Sequence, residues 1–171
     1  MSSLCFTGHR NFIDEKDQQA YERVSAYMVK ILTEYVEKKG VTEFYAGGAS
    51  GFDNFAANCV LKVKESHPEI QLIEVLPFDR NNMAAKWSDQ DRRLLLYLCK
   101  MANSVVEKAG SEHYDGCYKD RNQYMVDHAD YCVAWYNEAK KKRSGTGQTV
   151  RMAQKKKIPV ENVFEAFNTQ T

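Results

Sequence analysis

The chain has 171 residues, 43% of them hydrophobic and 27% charged, the proportions of an ordinary globular protein and enough for a single domain over residues 1–171 with one core. A formal net charge of +1 argues against a dedicated nucleic-acid binder, so nucleic acid is not an expected partner. No apolar run is long enough to span a bilayer and Met1-Ser2-Ser3 does not open a secretory leader, which predicts a cytoplasmic protein with no membrane partner.

Leu4-Cys5-Phe6 reads as a first strand that ends at Thr7-Gly8-His9-Arg10. From Asp14 to Lys39 apolar residues recur at helical spacing (Ala20, Val24, Tyr27, Met28, Ile31, Leu32, Tyr35), and Gly40 stops the helix. A second strand, Thr42 to Ala46, runs into Gly47-Gly48-Ala49-Ser50-Gly51 and then into a helical pattern through Phe55, Ala56, Cys59, Val60 and Val63, closed by His67-Pro68. Gln71 to Leu76 is a third strand, closed by Pro77. Ser88 reads as an N-cap with Asp89 and Asp91 in the first turn of a helix through Met101. Ser104-Val105-Val106 is a short strand, Ala109 to Tyr118 a polar loop, Arg121 to Ala129 a short helix and Tyr131 to Tyr136 a strand. Glu138 to Gly147 reads as a basic glycine-containing loop, Thr149 to Lys156 as a helix, and Ile158-Pro159-Val160 as the start of a last strand or tail.

Strand and helix alternate throughout, which predicts an α/β fold: a Rossmann-like three-layer sandwich with a mostly parallel sheet. Ligands in such sheets sit beyond the carboxyl ends of the strands. The glycine and polar segments all fall at that edge.

A strand, a glycine turn and a helix in that order present backbone N–H groups to an anion, above all phosphate. Gly47 to Gly51 is one such turn, and Gly145-Thr146-Gly147 is a second. The first is not a Walker A loop, since no Gly-Lys-Ser/Thr follows, and the second matches GxGxxG only in part, with Val150 in place of the third glycine. Asp53 reads either as a ribose-hydroxyl acceptor or as a helix-start carboxylate. Arg121 offers a bidentate clamp for phosphate and Asn122 a hydrogen bond to base or ribose; a capped helix with a surface ion pair explains them equally. Thr7, Gly8, His9 and Arg10 suit an anion site, and no serine, cysteine or paired carboxylate completes a triad with His9. Trp87 reads as a stacking partner for a base or as a core or lid residue. The five cysteines show no CxxC spacing, and the four histidines do not pair with them as metal ligands, so reduced thiols and no metal are expected.

Taken together, Thr7-Gly8-His9-Arg10, Gly47-Gly48-Ala49-x-Gly51-x-Asp53, Pro77-Phe78 with Trp87, Arg121-Asn122-x-x-Met125-Val126 and Gly145-Thr146 resemble the YpsA-like family of the SLOG superfamily. That superfamily also holds the Lonely-guy phosphoribohydrolases and the DprA-type proteins. The resemblance runs from Leu4 to about Val160 and implies a nucleotide-binding Rossmann-like domain. It also implies self-association, so a homodimer is the expectation by analogy.

Arg121, Met125, Ala129 and Asp130 resemble an Arg-x-x-x-Met-x-x-x-Ala-Asp stretch of the Lonely-guy enzymes. Thr149 stands where their Pro-Gly-Gly-x-Gly-Thr-x-x-Glu motif has its catalytic Glu. A threonine hydroxyl does not replace a carboxylate as a general base. The expected function is therefore binding of a nucleotide or ADP-ribose-like molecule as a sensor, sponge or accessory protein. The alternative is an enzyme cleaving an N-glycosidic or related bond, with Asp53 or His9 as the catalytic candidates. No cofactor beyond that ligand is implied.

Overall fold

The computed structural model describes residues 2–14, 16–108, 110, 112–139 and 144–168. The charge run at 140–143 and residue 109, where the polar loop was expected to begin, lie outside the described residues. In chain order the elements are β1 (Ser2–Gly8), α1 (Gln18–Lys39), β2 (Val41–Ala46), α2 (Phe52–Lys64), β3 (Gln71–Leu76), α3 (Arg80–Met83), α4 (Asp89–Met101), β4 (Ser104–Glu107), α5 (Cys117–Asp127), β5 (Tyr131–Trp135), α6 (Gly145–Lys156), β6 (Val160–Asn162) and α7 (Val163–Asn168).

The strands form one six-stranded sheet in the order β4-β3-β2-β1-β5-β6, and every neighbouring pair is parallel. The fold is the expected Rossmann-like α/β sandwich, with a sheet that is wholly rather than mostly parallel. Strands of such a sheet are apolar on both faces because helices cover both. Leu4, Phe6, Phe44 and Leu72 pack on one face under α1 and α2, against Met28, Leu32, Phe55 and Val60. Cys5, Tyr45, Ile73 and Val75 pack on the other under α5 and α6, against Met125, Val126 and Ala153.

Local signals set the helix ends. The Asp17 carboxylate accepts the Ala20 N–H at 3.0 Å to start α1, and Ser88 Oγ accepts the Asp91 N–H at 3.2 Å to start α4. Two helices begin earlier than the periodicity predicts. Helix α5 starts at Cys117, so this cysteine is a buried helical residue rather than a loop thiol. Helix α6 starts at Gly145, capped by Ser144, whose Oγ accepts the Gly147 N–H at 3.0 Å. Both first turns carry residues of low helix propensity or polar character. A cap and tertiary packing override that preference.

The chain lays β1, β2, β3 and β4 outward in one direction. It then returns to place β5 on the free side of β1. The order reverses at β1 and β5, and at such a switch point the loops leaving the two strands diverge and leave a crevice beyond their carboxyl ends.

Candidate functional site

Three loops meet at this edge. At the end of β1 the His9 carbonyl accepts the Phe52 N–H at 3.2 Å, joining β1 to the start of α2. The His9 Nε2 accepts the Asn137 N–H at 3.1 Å, joining β1 to the segment after β5. The β2–α2 turn fits only because of its glycines. Gly51 has φ 94°, and a Cβ there would lie 2.2 Å from the Arg10 carbonyl oxygen. Gly48 has φ 74°, and its Cβ would lie 2.3 Å from Leu76 Cδ2. These two positions therefore demand glycine for the turn itself.

Beneath the turn sits a buried charge cluster. Arg121 of α5 is 6% exposed. It donates through Nε to Asn122 Oδ1 at 2.7 Å and through Nη1 to the Gly47 carbonyl. A Cβ on Gly47 would lie 2.7 Å from Arg121 Nη1 and 3.0 Å from Asp53 Oδ2, so the turn rests directly on this pair. Asp53, in the first turn of α2, accepts the Ala49 N–H. Burial pushes its carboxyl up to about 6, and the Arg121 charge and the Ala49 bond hold it below what burial alone would impose. Burial pulls the Arg121 guanidinium down from its usual value, and Asp53 works against that.

Glu74 of β3 is fully buried, and neither of its carboxylate oxygens has a hydrogen-bond partner among the described residues. Burial first, then the Asp53 charge, push its carboxyl up to about 8, against the attraction of Arg121 and Arg80. Burial thus biases both carboxyls toward the neutral acid, Glu74 more strongly than Asp53, and the Arg121 charge favours the ionised form of each.

The third loop ends at the N-terminus of α6. The first N–H groups of a helix have no intrahelical acceptor. Here the Gly147 N–H is taken by Ser144 Oγ, and Ser144, Gly145, Gln148 and Arg151 line a cavity of about 440 Å³. Asn122, 6% exposed, carries this end toward the glycine turn: its Nδ2 lies 4.0 Å from where a Gly145 Cβ would stand. Adjacent residues of α5 therefore reach the two glycine segments, Arg121 bonding to Gly47 and Asn122 lying near Gly145.

The residues named from sequence take distinct places. Gly8, His9 and Arg10 and Gly47 to Gly51 belong to the strand ends and loops of this edge, Asn122 to α5 and Gly145 to Gly147 to the first turn of α6, and Arg10 is exposed. Thr7 is buried in β1 opposite Ala134. Ala49 N–H is committed to Asp53, and two of the Arg121 donors are committed to the protein, so these groups frame the turn. Asp53 is enclosed rather than open to the crevice, at 5% exposure. Trp87 is half-buried against Leu76, Ala84, Leu95 and Cys99. Thr149 is fully buried, and its hydroxyl donates to the Gly145 carbonyl at 2.9 Å, closing α6 on itself. Phe78 is buried edge-on to His113 and Tyr118.

Sequence reasoning missed Glu74 and Arg151. Glu74 had a signal: an acid inside the otherwise apolar run Leu72-Ile73-Glu74-Val75-Leu76 of a strand covered on both faces. Arg151 had only its place one helical turn after Gly147. Among the described residues, no three or more His, Cys, Asp or Glu group as a metal site would require. No described helix is long and apolar enough to cross a membrane.

Known proteins share this architecture. The SPbeta prophage-derived protein YoqJ of Bacillus subtilis is 29% identical over 140 residues, covering 75% of this chain and 78% of YoqJ. A UPF0398 protein of Bacillus thuringiensis is 25% identical over 172 aligned positions, covering 98% of this chain and 90% of its own. Among solved structures, DNA processing protein A (DprA) of Streptococcus pneumoniae superposes with a TM-score of 0.60 at 14% identity, over 94% of this chain and 49% of that one. The Helicobacter pylori DprA, whose structure is described for its single-stranded DNA binding mode, gives a TM-score of 0.59 at 18% identity, over 93% of this chain and 63% of its own. At these identities the likeness is one of fold. The chain spans about half of the first DprA and less than two thirds of the second.

The expectation that excludes nucleic acid is corrected by this comparison, because a protein of the same fold has a described mode of binding single-stranded DNA. That expectation rested on a net charge of +1. Net charge sums the whole surface, whereas a strand of phosphates is held by the positive groups of one groove. The profile of the YspA SLOG family (YpsA) matches residues 4–165, the span that carries every strand of the sheet, and the chain belongs to that family.

Proposed function

We propose that this chain binds a nucleotide or a nucleotide-derived phosphorylated small molecule at the switch-point edge, and holds it intact. One observation carries the proposal. Arg121 and Asn122, adjacent on α5, touch the β2–α2 glycine turn and approach the α6 N-terminus, so one helix links two segments of the kind that suits a phosphate. One phosphate would take the N–H groups at Gly145 and Thr146, with Arg151 beside them. The remainder of the ligand would extend toward Gly48, Ser50 and Arg10.

N-glycosidic hydrolysis has weaker support. The Thr149 hydroxyl is tied to the Gly145 carbonyl, and Asp53 and Glu74 are sealed from solvent. A general base must come within hydrogen-bond reach of the proton it removes. The fold likeness to the H. pylori DprA favours a second reading, a single nucleic-acid strand presenting its phosphates to the same edge.

Calorimetry with AMP, NAD, ADP-ribose and a labelled oligothymidylate, followed by chromatography of each mixture, tests these readings. Binding of a mononucleotide that is recovered intact supports the proposal. Oligonucleotide binding with a steep salt dependence, and none by mononucleotides, replaces it with the strand reading. Appearance of free base makes the protein a hydrolase.

A further inference from the structure

Strand β3 carries a group that the proposed binding role leaves unused. Glu74 stands in register with Ala46, the residue that leads into the glycine turn, and with Val105 on its other side. It has no exposed surface and no hydrogen bond at either oxygen among the described residues. Groups from every neighbouring element act on it. Asp53 of α2 has its Oδ1 likewise unpartnered, and Arg121 of α5 spans from Asn122 to the Gly47 carbonyl. Arg80 of α3 is turned to Glu107 of β4 at 3.0 Å. Cys99 of α4 stays a thiol, its own titration pushed up to about 12 by burial and by Glu74.

A buried carboxylate without water or donors is not sustained as an anion. Its proton is therefore part of the arrangement beneath the turn. If that proton leaves for solvent, Glu74 becomes a second buried anion repelled by Asp53, and both carboxylates attract the Arg121 guanidinium. The guanidinium then has a competing partner, and the Gly47 carbonyl is the neutral acceptor it gives up most readily.

We propose that Glu74 is a positioning residue for the ligand site: as a neutral acid it leaves Arg121 to Asp53 and Gly47, and on ionising it draws Arg121 away and loosens the glycine turn. The inference rests on the reading of this edge as a phosphate-binding crevice. It adds that the site is set by a proton on β3, three strands away from β5, on a side chain with no exposed surface. Affinity for a phosphorylated ligand then falls as pH rises through the Glu74 titration.

Two measurements on the full chain test it. In the unliganded protein, NMR from pH 6.5 to 9.5 follows the Glu74 side-chain carboxyl, the Gly47 and Gly48 amides and the Arg121 Nε–H. The expected result is one common midpoint well above the ordinary carboxylate range. In Glu74→Gln the midpoint vanishes from all the backbone probes. A Glu74 carboxyl titrating at ordinary values, or glycine amides that stay flat through its midpoint, overturns the inference. The wild-type titration needs no variant, so a Glu74→Gln chain that fails to fold does not remove the test.

The second measurement is AMP calorimetry from pH 7 to 9.5, where a phosphate with a second pKa of about 6 is already dianionic. The expected loss is about tenfold, the consequence of a one-unit coupling between ligand and proton, and it disappears in Glu74→Gln. The same pH profile in wild type and Glu74→Gln overturns the inference. AMP that binds at no pH overturns the ligand reading, and the unliganded titration still decides whether Glu74 sets the turn.

Discussion

Replacing Arg121 by Met removes the guanidinium and keeps much of the side-chain volume. The structure says what is left behind. Asp53 loses its counter-charge, the Gly47 carbonyl loses its donor, and Asn122 Oδ1 loses the 2.7 Å bond from Nε. Leaving a buried charge without its nearby counter-charge costs up to about 3–5 kcal/mol. At about 2–4 °C per kcal/mol for a chain of this size, thermal unfolding should fall by up to roughly 6–20 °C near pH 8.

The loss should depend on pH. Without Arg121 the Asp53 carboxyl rises above its present value of about 6, so at pH 5 it is protonated and no longer an orphaned charge. The remaining cost is that of unsatisfied neutral groups, about 1–3 kcal/mol. Pairing Arg121→Met with Asp53→Asn should recover stability at pH 8 and change little at pH 5. Calorimetric unfolding of the two variants at both pH values checks this. Equal losses at pH 5 and pH 8, or no recovery in the double variant, would refute charge attraction between Arg121 and Asp53 as a support of the turn.

Three further outcomes follow from the same geometry. Asp53 and Glu74 both bind protons more tightly folded than unfolded, rising from 3.8 to about 6 and from 4.5 to about 8. Their contribution is therefore full below about pH 4 and lost as pH rises through 6 and 8; urea midpoints should drop between pH 6 and 8.5, and Glu74→Gln should flatten that stretch. Gly145→Ala meets nothing nearer than 4.0 Å and should be neutral or stabilising by up to about 1 kcal/mol. Gly51→Ala meets the Arg10 backbone at 2.2 Å with φ 94° and should cost at least about 2–4 kcal/mol; similar urea midpoints for these two variants would contradict the turn geometry. Ser144→Ala removes the acceptor of the Gly147 N–H and should cost about 1 kcal/mol while weakening AMP binding; unchanged AMP affinity would detach the α6 end from the ligand site.

The order of the strands and of the helices between them, apart from the short α3 and the terminal α7, was legible in the residue pattern, as were the glycine turn and the capped start of α4, because they depend on neighbours within a few positions. A run such as Leu72 to Leu76, apolar at almost every position, announces a strand covered on both faces. Periodicity failed at the starts of α5 and α6. There Gly116 and Ser144 open helices whose first turns have weak propensity, and packing between α5 and α6 decides the outcome. Asp53 illustrates the remaining limit. Its identity and spacing suit a ribose contact or a helix start, and only burial against Arg121 distinguishes an enclosed carboxylate from an open one.

By itself, the residue order determined that a parallel sheet would gather its glycine loops at one edge, since each crossover returns the chain in the same direction. Only the tertiary structure decided that α5, far along the chain, sends adjacent residues to Gly47 and toward Gly145. It also decided that Glu74 would lie fully buried beneath them. Proton binding at such a group is governed by lost water and by charges from three other elements, and neither quantity exists until the chain has folded.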